Sequence, residues 1–90
     1  MDTATKLEML KIDLGISTTA YDTRLSQYLT VAHAQIEEEG ITLTDSVSDG
    51  NLEVMYAAWL WRKRDTGEGM PRMLRYMLNK RLFAEKVVVE

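Results

Sequence analysis

The chain has no cysteine, a single proline, a single histidine and five glycines among its 90 residues. Without thiols it can hold neither a disulfide framework nor a thiolate metal site. The lone histidine, His33, has no second imidazole with which to share a metal and reads as a structural or surface residue. Ser17, Ser26, Ser46 and Ser48 lack a nucleophile-elbow context and a base at recognisable spacing. Gly67-x-Gly69 is too short for a phosphate loop and follows a helical segment. These absences point away from an enzyme and from any metal or cofactor. The scarcity of proline and glycine favours few, long elements. The longest uncharged apolar run, Val54–Trp61, falls far short of the roughly 20 residues a membrane span needs. The opening MDTATKLEML has no basic stretch ahead of an apolar core. Neither a membrane segment nor a signal peptide is expected.

What remains is 46% hydrophobic and 28% charged, the make-up of one small globular domain over residues 1–90. Its formal net charge of −3 hides a polarity. Residues 1–61 hold three cations and ten anions, a balance of −7; residues 62–90 hold eight cations and four anions, a balance of +4. Such a chain can attract a second copy head to tail, or a partner of either sign. Two plainly solvated ends are the alternative.

The organising stretch is Leu52–Arg64, LEVMYAAWLWRKR, which holds both tryptophans and stops at three consecutive cations. Positions 52, 55, 56, 59 and 60 form one helical stripe, and 54, 57, 58 and 61 cover much of the rest. Such a helix is expected to be covered on most sides, partly by another copy of the chain. Upstream, Leu7, Leu10 and Leu14 share a face of a first helix capped by Thr3 or Thr5 and ended by Gly15. Ser17-Thr18-Thr19 opens a second helix, with Tyr21, Leu25, Tyr28, Leu29, Ala32 and Ile36 at helical spacing and Gly40 as its stop. Residues 41–49 read as an extended connection, with Ser48 or Asp49 capping the aromatic helix. After the turn Asp65–Gly69, Pro71 starts a fourth helix, one face of which carries Met70, Met73, Leu74, Met77, Leu78 and Arg81. Residues 86–90 favour a short extended tail. The fold expected is all-α, a small bundle of about four helices.

Two charged clusters suit contact with partners. Glu37, Glu38 and Glu39 occupy the last turn of the second helix, where the helix dipole disfavours anions. A solvated acidic end accounts for them, and so does a basic surface on a neighbouring subunit. A metal does not, because adjacent helical positions point apart. Arg62, Lys63, Arg64, Arg72 and Arg75, with Lys80 and Arg81 beyond, surround the next turn and helix. Phosphate binding is one reading of such a cluster. Protein contact is favoured over it, because the whole chain is acidic, with a pI near 5.1, and its cations are interleaved with a Met/Leu stripe.

The order of these segments carries a resemblance. A short helix ending Leu14-Gly15-Ile16 precedes Tyr21-Asp22-Thr23-Arg24-Leu25-Ser26-Gln27-Tyr28-Leu29. An aromatic helix then ends in Ala58-Trp59-Leu60-Trp61-Arg62-Lys63-Arg64-Asp65, and after a glycine turn Met70-Pro71-Arg72-Met73-Leu74 leads to Met77-Leu78-Asn79-Lys80-Arg81-Leu82. Over about residues 5–83 this resembles the small head–tail connector (head-completion adaptor) proteins of long-tailed bacteriophages and prophages, although the connection before the aromatic helix is shorter here. The resemblance implies an all-helical subunit of a ring, typically a dodecamer, at the virion head–tail junction, assembled in the bacterial host cytoplasm. The ring docks under the portal protein, extends the DNA channel and receives a stopper or tail-completion protein. DNA passes through without specific binding, and no membrane is involved. Glu37–Glu39 and Arg62–Arg64, with Arg72 and Arg75, are the expected contact residues. A small helical nucleic-acid-binding phage protein, a regulator or packaging accessory, is the alternative.

Overall fold

In the computed structural model, which describes residues 1–88, four helices follow one another. They are α1 (Thr3–Leu14), α2 (Asp22–Glu38), α3 (Val47–Thr66) and α4 (Arg72–Val88), with no strand among the described residues. The all-α fold class expected from the periodicity is the one observed. α3 is the axis. α1 lies parallel to it, so that Lys6 reaches Glu53 near one end while Leu14 shares a depression with Trp61 near the other. α2 runs antiparallel, pairing Tyr28 with Trp61 and His33 with Glu53. α4 is antiparallel as well, pairing Arg81 with Asp49 and setting Leu74 beside Ala58. One core joins Leu10, the α2 row Leu25, Leu29, Ala32 and Ile36, the apolar residues of α3, and Leu74 and Leu78 of α4.

Helix ends follow local hydrogen-bonding chemistry, and four differ from expectation. Asp2, not Thr3 or Thr5, caps α1, its carboxylate accepting the Thr5 N–H at 2.7 Å. Gly15 then closes α1 in the left-handed region at φ 71°. α2 starts at Asp22, because the Thr18 hydroxyl accepts the Ala20 N–H at 3.0 Å and builds a turn instead of a cap. α3 starts at Val47 under a Ser46 cap, whose Oγ accepts the Asp49 N–H at 3.1 Å. Asp49 is no cap, since its carboxylate is engaged by Arg81 and Thr44. At the other terminus α4 stays helical as far as Val88, into the stretch expected to extend from residue 86; Val89 and Glu90 lie outside the described residues.

The cover over α3 comes from this chain alone. Leu52, Val54, Tyr56, Ala57, Ala58 and Leu60 are buried, and Met55, Trp59 and Trp61 are partly so. The chain's own helices thus cover most of this helix. Ile12 of α1 and Val47 of α3 are exposed as well, but α4 carries three exposed apolar side chains, Met73, Tyr76 and Phe83, at 62%, 62% and 69%. Met73 was expected to share a face with Leu74. Successive helical residues point about 100° apart, and buried Leu74 and Leu78 set the inward direction, so Met73 turns out.

Candidate subunit interface

α3 carries its three cations out of the bundle at Arg62, Lys63 and Arg64, all exposed. Two of them rest on the indoles that precede them. Lys63 Nζ stands 4.6 Å from the centre of the Trp59 ring, and Arg64 Cζ stands 3.9 Å from that of Trp61. Spacings of four and three residues put each cation above its ring. The rings are held from behind in edge-to-face contacts, Trp61 with Tyr21 and Tyr28 at 5.7 and 5.5 Å and Trp59 with Tyr56 at 5.4 Å. Trp59 Nε1 also donates to the Glu68 carbonyl at 3.2 Å. A guanidinium stacked by its face keeps in-plane N–H groups for a carboxylate or phosphate; Arg64 gives one to Asp65 at 2.7 Å. Arg62 points elsewhere, into a depression shared with Asp13, Pro71 and Met73, so the basic surface continues onto the start of α4 at exposed Arg72.

The acidic cluster closes α2 at the other end of the helix pair. Since His33 faces Glu53, Glu37 lies one turn further from the cations, more than about 16 Å from Arg64 along α3. Its three members have separate environments. Glu39 accepts two hydrogen bonds from Arg75 Nη2, at 3.0 and 3.1 Å, so these two expected contact residues pair with each other and tie α4 to the end of α2. Beside them, burial pushes the Tyr56 phenol up, and the Glu39 carboxylate adds to the shift. Glu37 accepts the Leu43 N–H at 3.4 Å and lies 3.5 Å from His33 Nε2. Glu38 is exposed, with no ion-pair partner among the described residues.

Two further carboxylates, not singled out from sequence, hold the bundle together. Asp49 is buried and takes Arg81 Nε at 2.9 Å together with the Thr44 N–H and hydroxyl at 2.8 and 2.9 Å. Arg81 also donates to the Thr42 carbonyl and to Glu85. Glu53, likewise buried, receives Lys6 Nζ at 2.7 Å and lies 2.8 Å from His33 Nδ1. His33 thus has the structural place expected of it. One signal did point to both acids: they sit four residues apart on a helix that is apolar nearly all round, where a charge must meet a partner. Among the described residues no group of three or more acidic or histidine side chains converges to hold a metal. Comparison with protein-family models, with curated proteins and with solved structures gives no match to this chain.

Proposed function

We propose that the chain is a structural head–tail connector of a tailed phage or prophage. It is a ring-forming adaptor that docks on the portal, extends the DNA channel and receives a stopper or tail-completion protein. It carries out no reaction and holds no cofactor. Its place is the head–tail junction of the virion, reached from the host cytoplasm during assembly. The order of sequence segments given above supports this reading. So does the use of the buried charges Asp49 and Glu53, which are occupied in ion pairs between helices.

The observation that carries the proposal is the separation of the charged clusters. Exposed cations end α3, exposed Glu37 and Glu38 end α2 at the far side of the bundle, and the two groups do not meet within one subunit. A ring requires heterologous contact between two different patches, which this layout offers. The acidic remainder suits a channel wall, where repulsion of phosphates lets DNA slide.

Arg62→Glu combined with Arg64→Glu is expected to abolish ring formation on isolated portal particles seen by electron microscopy. Unchanged rings reject the interface. Adding Glu37→Lys and Glu38→Lys should restore part of the assembly; Glu39 stays, because it holds Arg75. A duplex-DNA titration addresses the alternative. Micromolar or tighter binding with a steep salt dependence moves the reading to a small helical nucleic-acid-binding phage protein, for which the cations stacked on Trp59 and Trp61 are the motive.

A further inference from the structure

The outward face of α4 mixes exposed aromatic and apolar side chains with cations. Arg72, Tyr76 and Phe83 recur at intervals of four and seven residues and so stand in one row, with Met73 and Lys80 alongside. All five are exposed. The nearest carboxylate of the helix, Glu85, turns inward to Arg81 and the Thr42 N–H. At their exposures the two rings and the methionine leave on the order of 400 Å² of mostly apolar surface in water, about half of one partner's share of a standard interface. A patch of that size is in the range of the largest apolar patch on a typical monomer, which is often a functional surface.

We propose that a second copy of this chain covers it. The outward face of α4 packs antiparallel on the outward face of the neighbour's α2, with Arg72 at Glu38, Tyr76 over Ala34 and Phe83 at Gln27. Read backwards from Glu38, that α2 face has the same intervals of four and seven residues, and Val31 lies between Ala34 and Gln27. Every one of these α2 side chains is exposed. Ala34 is small enough to admit a ring above it, and Val31, 43% exposed, extends the apolar floor.

Charge decides the orientation. Antiparallel packing brings the basic start of α4, continuous with Arg62, to the acidic end of α2, and it sets the positive end of one helix dipole beside the negative end of the other. Parallel packing with Phe83 at Glu38 would instead place Arg72 at Gln27, one turn from Arg24. Because α4 of one copy meets α2 of the next, the contact is heterologous and propagates into a ring or filament. It adds to the charge contact of the connector reading the apolar area that surface ion pairs alone do not supply, and it rests on that reading for the head-to-tail arrangement.

The free chain, without a portal, tests it. Its average mass in sedimentation should rise with concentration, and the rise should be smaller in high salt. Tyr76→Glu with Phe83→Glu, both at exposed positions, should keep the helical circular dichroism and raise the dissociation constant at least about tenfold. A wild-type chain that stays monomeric up to millimolar concentration overturns the packing, as does a double variant that associates like wild type. Because the chain has no cysteine, register can be read directly. Tyr76→Cys mixed with Ala34→Cys, and Phe83→Cys mixed with Gln27→Cys, should form interchain disulfides that neither variant forms alone. Cross-linking of Phe83→Cys with Glu38→Cys in their place overturns the antiparallel packing, and these mixtures decide the matter if the glutamate variant fails to fold. Rings on portals that survive all of these changes remove this packing and leave the connector reading standing.

Discussion

Asp49 is the carboxylate on which the join between α3 and α4 turns. Its side chain is only 4% exposed. Burial works to raise its carboxyl, but the hydrogen bonds from Arg81 and Thr44 prevail and hold it below the ordinary value of 3.8. A carboxyl lowered in the folded state stabilises the fold above its unfolded value, and that contribution is lost as pH falls through the folded value. Asp49→Asn should therefore lose about 1–3 kcal/mol at neutral pH. Below pH 3.8 its stability should fall less steeply than that of wild type in urea titrations. Arg81→Met should be the harsher change, at about 3 kcal/mol, because it strands a buried charge. Equal losses for the two variants would show that Asp49 is solvated. Glu53, 6% exposed, has the same need of Lys6 and His33. Spacing along the chain does not identify these partners: Arg81 lies 32 residues from Asp49, and Lys6 lies 47 from Glu53. Residue types show that a buried carboxylate must be paired; which cation pairs it depends on how the helices pack.

Of the helices that flank or form the axis, α4 is held less firmly than α2 and α3. Among the described residues Leu74 and Leu78 are its fully buried side chains, against four in α2 and a longer row in α3. Leu82 adds a contact beneath Gly40, which sits at φ 102°, where a Cβ would stand 3.3 Å from Leu82 Cδ1. Gly40→Ala, strained in backbone and crowded against α4, should cost about 1–2 kcal/mol. Hydrogen exchange should then open the α4 amides well before those of α2 and α3. If all the helices exchange together, α4 is not a separate unit of stability. Much at this scale was legible. The α2 row Leu25, Leu29, Ala32 and Ile36 was read from its spacing and is buried, and Gly15 ends α1 as expected. The caps were not legible to the residue, because Ser46, Ser48 and Asp49 are all competent and the choice fell on Ser46 once Arg81 had drawn Asp49 away. Met73 was misplaced for a related reason: a methionine beside an apolar stripe has no signature of its own direction.

Over the whole molecule, 45 by 28 by 18 Å, the acidic residues 1–61 and the basic residues beyond them meet at Glu39–Arg75 and Asp49–Arg81, while the clusters at the ends of α2 and α3 stand apart. The all-α class followed from periodicity alone. The candidate interface was legible only in part, because sequence could not show that Glu39 and Arg75 satisfy each other across 36 residues and leave Glu37, Glu38, Arg62, Lys63, Arg64 and Arg72 facing outward. Contact between ends of opposite charge should weaken as salt shortens the Debye length to about 3 Å at 1 M. Light scattering across a salt series reads this directly, and association that strengthens with salt would reject a contact held by these charges. Both indoles stand at one end of the molecule, each with a cation over its face and tyrosine edges behind. Any partner that draws Lys63 or Arg64 away changes the emission of the ring beneath, so the chain carries its own optical gauge of docking, one that needs no attached dye.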